Sequence, residues 1–272
     1  MQNFSTSPVE MFASFWRNRS LITALTKREI QGRYRGSILG ILWSFFNPLL
    51  MLAVYTFVFS VVFNARWSTG SNSKTEFALV MFSGLMVFGI FSECVGRAPG
   101  LILSNVNYVK KVVFPLEVLP WVSMGAALFH ASISLVVWLV FYGIFFGVPH
   151  LSAILLPFVI LPILMLSMGF SWAFASLGVY LRDISQIVSV AITMMMFLSG
   201  IFYSVSTLPV EYQELLKINP LVPLIEQARD VLIWGKSPDY LLLFSYFGGS
   251  LIFAWLGFAW FQKTRKGFAD VL

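Results

Sequence analysis

From Ile38 to Phe261 the chain is built of long apolar runs, most of them about 20 residues or more, separated by short polar breaks. A helix needs about 20 apolar residues, at 1.5 Å of rise each, to cross the hydrocarbon core of a bilayer. Such runs in close succession point to a polytopic, all-α membrane protein. The charge content agrees. Only 11% of residues are charged, against roughly 25% in average soluble chains, too little to cover a soluble globule of this size.

Six spans follow: Ile38–Phe63, Phe77–Val95, Val118–Phe146, Leu151–Leu181, Ile184–Tyr203 and Tyr240–Phe261. Gly147-Val148-Pro149-His150 divides an apolar stretch too long for one helix, because Gly and Pro punctuate helices. Between the fourth and fifth spans stand only Arg182 and Asp183. Each would cost about 2.5–3.5 kcal/mol at a bilayer centre, so the pair marks a boundary turn. With a cytoplasmic N-terminus, thirteen of the 18 Lys and Arg residues fall on the inside and five outside. That asymmetry predicts both termini inside, and it turns the net charge of +6 into a topological signal rather than a nucleic-acid one.

The chain divides into an interface segment, 1–37, and a transmembrane domain, 38–272, with an inner loop at 96–117 and an outer helical pair at 205–239. In the interface segment Ser7 is placed to cap a helix, Pro8 suits its first position, and Glu10 completes a capping box. Met11, Phe12, Phe15 and Trp16 then share one face beside Arg17 and Arg19, the pattern of a helix lying on a membrane surface. No cleavable signal is expected, since the first apolar run follows a charged stretch too long for one.

In the outer pair, Leu221, Leu224, Ile225, Ala228, Val231 and Leu232 recur at helical spacing, with Glu226, Arg229 and Asp230 on the other side. Asn219-Pro220 and Pro223 predict the break between the two helices. If the pair dips back into the bilayer, these three charges must face protein or water. At spacings of three and four, Arg229 could screen both Glu226 and Asp230 and so close an outer gate.

Other candidates are weaker. Gly235-Lys236-Ser237 lacks the glycine five residues earlier that a phosphate loop requires, Asp230 standing there. The single cysteine, Cys94, excludes an intrachain disulfide. Neither a metal-ligand spacing, a nucleophile elbow nor a paired carboxylate is evident. His130 falls inside the third span and is expected to be neutral, bonded to a nearby serine or backbone carbonyl. Glu93 and Arg97 are spaced as an intrahelical pair. Proton-driven carriers usually place more ionisable groups in the membrane than His130 and Glu93, so transport energy is expected from elsewhere.

The stretch "NVNYVKKVVFPLEVLP", with Asn105, Asn107, Lys111, Phe114, Pro115, Glu117 and Pro120, resembles the inner loop of ABC-2 type permeases that export polysaccharides. Three more stretches agree in order: Arg28 through Pro48, the turn Arg182-Asp183-Ile184, and Pro209 through "INPLVPLIEQAR" to Arg229. Leu116, where an arginine often follows the Phe-Pro pair, and Gly200, where a proline is common, depart from the pattern. The family exports O-antigen, capsular polysaccharide and teichoic acid.

The resemblance implies a non-catalytic permease subunit, a homodimer in the bacterial inner membrane that moves a lipid-linked polysaccharide. Two copies of a separate ATPase subunit would hold the ATP and magnesium, so this chain needs no cofactor. Asn105, Lys110, Lys111, Phe114, Pro115 and Glu117 would dock that ATPase, with Arg182 and Asp183 close by. Spans one and five would line the conduit, placing Tyr55, Phe59, Met195 and Tyr203 toward the polymer. Rings can pack on the apolar faces of sugars while letting the chain slide, and Met adapts to irregular surfaces. A permease for a drug or small lipid, or a membrane enzyme acting on lipid-linked sugars, are the competing expectations.

Overall fold

The computed structural model describes residues 4–63, 67, 73–110 and 114–272. Arg66, one of the charges counted outside, and Lys111, one of the expected docking residues, lie outside the described residues. Every regular element among the described residues is helical. The interface segment forms α1 (Pro8–Arg17) and α2 (Arg19–Tyr34), and the first span forms α3 (Trp43–Tyr55), continued by a π-helical stretch over Thr56–Val62. Next come α4 (Lys74–Arg97), the short inner helix α5 (Val106–Val109), α6 (Leu119–Phe146), and α7 (Leu156–Val159) leading into α8 (Leu161–Tyr180). The remainder is α9 (Ile184–Leu198), α10 (Val210–Lys217), α11 (Leu221–Leu232), α12 (Tyr240–Thr264) and α13 (Phe268–Val271).

Five helical stretches are long and apolar enough to cross a membrane: Gly40–Phe59, Lys74–Gly100, Leu116–Phe146, Leu151–Tyr180 and Tyr240–Val271. The fifth expected span is shorter than the sequence suggested. It stops at Leu198 instead of Tyr203, because the chain turns at Gly200, whose φ of 64° suits glycine. Fifteen residues make about 22 Å of helix, short of the ~30 Å hydrocarbon core.

At α1 the Ser7 hydroxyl accepts the Glu10 N–H at 3.1 Å, and the Glu10 carboxylate meets Arg17 at 2.5 Å. Met11 is buried and Phe15 packs on Trp121 with ring centroids 4.6 Å apart. Phe12 and Trp16 stay exposed, as a helix resting on lipid requires. The Trp255 indole N–H, donating to the Thr6 carbonyl at 2.9 Å, ties the start of the chain to α12.

The bundle centres on α4, whose apolar side chains are mostly buried. The Trp138 indole N–H on α6 donates to the Leu79 carbonyl at 3.1 Å, giving a buried indole its polar partner. Helix α8 packs most closely on α12, where Gly169 and Gly257 face one another. A Cβ at Gly257 would run into the Gly169 carbonyl, so glycine lets the two backbones approach, as small residues do between membrane helices. We expect Gly257→Val to force α8 and α12 apart and lower the apparent melting temperature in detergent by about 5 °C or more, from overpacking of ~1–3 kcal/mol. An unchanged melting curve would show that the crossing has slack.

Candidate functional site

Among the described residues, three buried or half-buried groups built on charged side chains interrupt this apolar bundle. The first lies at the end that gathers both chain termini. Glu117, 8% exposed, meets Arg265, 10% exposed, at 2.5 Å. The other Glu117 oxygen accepts from the Ser14 hydroxyl at 3.1 Å, and the Arg265 guanidinium also donates to the Phe114 carbonyl at 3.0 Å. One buried pair therefore joins α1, the inner loop and the end of α12.

The expected docking residues divide accordingly. Lys110, Arg182 and Asp183 are exposed and able to meet a partner. Asn105 is half-buried and spends an amide N–H on the Leu101 carbonyl at 2.9 Å. Phe114 and Pro115 are half-buried, and Phe114 stacks on Tyr108 with centroids 4.1 Å apart. Glu117 departs from the expectation. Its carboxylate points into the bundle and is already paired, so it shapes the loop from beneath instead of facing outward.

The second group lines a cleft of about 400 Å³ between the end of α2 and helices α3, α4, α6 and α9. At its terminal end Glu93, 17% exposed, meets Arg33 at 2.6 Å and His130 Nδ1 at 3.0 Å. The expectation of a serine or backbone partner for His130 is thus corrected: a carboxylate 37 residues away in sequence is its neighbour. His130 Nδ1 also faces the Arg33 guanidinium at 3.2 Å, and its Nε2 faces the Tyr34 hydroxyl at 3.1 Å. Burial lifts the Tyr34 phenol above the ordinary tyrosine range, so it stays a neutral donor. Both imidazole nitrogens are occupied, which leaves no free base aimed at the cleft.

The expected Glu93–Arg97 pair is present, with a second partner added. It is only a 3.8 Å contact, and Arg97 is held closely by Glu29 of α2. Tyr55 lines the cleft's far end. There Phe59 stacks on Phe202 with centroids 4.7 Å apart, Tyr55 lies 5.7 Å from the same ring, and the Tyr203 hydroxyl donates to the Phe197 carbonyl at 2.9 Å. Tyr55, Phe59, Met195 and Tyr203 are each partly buried against the main core. The structure brings Tyr55 and Phe59 together around Phe202, while Tyr203 turns its hydroxyl to the end of α9.

The third group centres on Arg229, which is fully buried. Its guanidinium donates to the carbonyls of Val80 at 3.2 Å, Gly200 at 2.9 Å and Ile201 at 3.1 Å, and to Glu226 at 2.6 Å. The Trp67 ring covers it at 4.2 Å, a cation–π contact. Gly84 makes room, since a Cβ there would lie 2.6 Å from Nη2. The apolar residues of α11 are buried as their spacing indicated, but two expectations about its charges fail. Arg229 lies inside with the apolar residues, and it screens Glu226 alone. Asp230 instead faces Lys236 at 3.8 Å, because Arg229 is drawn toward carbonyls of two other segments. Trp67, Gly84 and Ser14 had no distinguishing sequence signal, since each matters only through a residue far along the chain.

Comparison with known proteins agrees with this architecture. The sequence pattern of the ABC-2 type transporter family matches residues 20–233. Over 265 residues the chain is 30% identical to the O-antigen export system permease protein RfbA of Myxococcus xanthus, covering 96% of this chain and 99% of that one. It is 24% identical over 257 residues to the polysialic acid transport protein KpsM of Escherichia coli, covering 90% and 93%. It is 28% identical over 269 residues to the capsule polysaccharide export inner-membrane protein CtrC of Neisseria meningitidis serogroup B, covering 93% and 96%.

Proposed function

We propose that this chain, which belongs to the ABC-2 type transporter family, is the permease subunit of a polysaccharide exporter in the inner membrane. One observation carries the reading. Its likeness to O-antigen and capsule export permeases extends over nine-tenths or more of both partners, so it includes the span-forming segments and the polar groups between them. The cargo is a lipid-linked polysaccharide, O-antigen or capsule. The chain itself supplies the path and no catalysis.

The finer assembly is proposed on the same footing. Two copies of the chain pair, each bound to a separate ATPase that carries ATP and magnesium. The end holding Glu117 and Arg265 faces the cytoplasm with both termini, which puts exposed Lys110, Arg182 and Asp183 toward the ATPase. Asn105, Phe114 and Pro115 shape that docking surface, and Glu117 braces it from inside. Six segments cross the membrane, α9 among them despite its length, with the Ser199–Tyr203 turn completing the depth. Tyr55, Phe59, Met195 and Tyr203 border the conduit.

The outer pair, α10 and α11, re-enters the bilayer in this reading. Support comes from Arg229, which bonds the Val80 carbonyl six residues inside the start of α4, about 9 Å along its axis. The apolar face of α11 is buried against the bundle as well, as a pair sunk among the spans requires. Cysteines substituted for Lys110 and for residues of a co-purified ATPase are expected to crosslink in cell membranes. Labelling of that same cysteine by a membrane-impermeant reagent from outside intact spheroplasts would reverse the orientation.

A further inference from the structure

The polar wall of the 400 Å³ cleft exceeds what helix packing needs. Asn47 projects from the mostly apolar α3, is exposed and lines the cleft, and its side chain has no hydrogen bond to a described residue. An unpaired amide facing lipid would be costly, so the cleft is its natural outlet. One residue on, Pro48 has no N–H, and the Ser44 carbonyl lacks its helical donor. Ser44 lines the same wall. Across from them stand the Tyr34 and Ser134 hydroxyls, and farther along the rings of Phe88 and Tyr55.

Charge points to the kind of ligand. Arg33, the guanidinium that lines the cleft, is held by Glu93, and Arg97 nearby is held by Glu29. What remains is the unspent Asn47 amide, the Ser44 carbonyl and the spare capacity of hydroxyls already bonded to His130, Tyr34 to its Nε2 at 3.1 Å and Ser134 to its carbonyl at 3.0 Å, all neutral and backed by aromatic faces. A phosphate would need an unspent cation. A sugar unit presents hydroxyls at its edge and apolar C–H faces, and it matches hydroxyl, amide and ring surfaces together. The volume lies within the range of about 300–1,000 Å³ common to small-molecule sites.

We infer that this cleft is a sugar-binding subsite, in which Asn47, the Ser44 carbonyl and the Tyr34 hydroxyl hold an uncharged unit of the polymer as it enters the path. The inference rests on the export reading above. It is tested with a photoreactive benzophenone residue at Asn47, at Met51 one turn along the same wall, at Tyr55, and at the exposed Ile144 of α6. The full complex is illuminated in membrane vesicles from polymer-producing cells. Polymer adducts at Asn47 or Met51 at least fivefold above those at Ile144 are expected, with Asn47→Leu reducing the Met51 adduct by a similar factor.

Adducts to polymer at Tyr55, with only lipid or protein adducts at Asn47 and Met51, would overturn the subsite and leave the export reading standing. No polymer adduct at any of these positions, in vesicles whose polymer export does not depend on this chain, would overturn both. Loss of the Asn47 adduct to added inorganic pyrophosphate, but not to free oligosaccharide of the same polymer, would overturn the sugar assignment in favour of an anionic headgroup.

Discussion

Arg229→Ala is expected to lower the apparent melting temperature of the purified protein by about 10 °C and to abolish export. The side chain is fully buried and bonds four acceptors in three segments: α4, the turn after α9, and α11 itself. Its removal strands the Gly200 and Ile201 carbonyls, each costing about 1–3 kcal/mol when buried without a donor, while the Val80 carbonyl keeps the Ser83 hydroxyl at 2.7 Å. Glu226 is partly exposed and can rehydrate, so the carbonyls and the vacated space dominate. A total of roughly 3–5 kcal/mol follows, which corresponds to a shift of that size in a chain of this length. Arg229→Lys is expected to rescue little, because an ammonium cannot span acceptors arranged for a planar fork. Gly84→Ala, which pushes on Nη2, should fall between wild type and Arg229→Ala. A melting curve for Arg229→Ala within 2 °C of wild type would mean that the outer helix is held by its apolar face alone.

Glu117→Ala should be nearly as damaging, at the opposite end. It leaves Arg265 buried beside the Phe114 carbonyl without its counter-charge, a loss of about 3–5 kcal/mol for a buried pair broken on one side. Loss of the ATPase during co-purification is the expected functional consequence, since the inner loop and α1 lose their shared tie. The double substitution Glu117→Leu with Arg265→Met separates bracing from contact. Replacing a buried pair by apolar groups of similar volume is often neutral, so the double variant should regain both stability and the ATPase. Restored stability with the ATPase still lost would place Glu117 in direct contact with that partner.

These two anchors show where sequence reasoning reaches and where it stops. Apolar runs, Gly147-Pro149 and the Ser7-Pro8 start were legible because each acts within a few residues of itself. So was the buried face of α11, where helical spacing alone selects Leu221, Leu224, Ile225, Ala228, Val231 and Leu232. The same spacing misplaced Arg229, since a charged residue is assigned to the polar side unless its acceptors are known. Those acceptors are backbone carbonyls of Val80, Gly200 and Ile201, which carry no residue signature. Glu93 and His130 were each conspicuous as ionisable groups in apolar runs. Their pairing was hidden because contact across 37 residues depends on how α4 packs on α6. Glu117 was expected at the docking surface from the likeness of its loop to the family's, and only Arg265, near the other end of the chain, explains its burial.

The central claim is that the chain is the membrane path of a polysaccharide exporter, and deletion of its gene tests that most directly. Surface and cytoplasmic polysaccharide should be measured by fractionation and immunoblotting, with a plasmid copy as control. The account predicts loss of surface polymer with accumulation of completed, lipid-linked chains on the cytoplasmic side, reversed by the wild-type copy and not by Arg229→Ala. Unchanged surface polymer would contradict it, as would disappearance of the polymer from both fractions, the result expected of a biosynthetic enzyme.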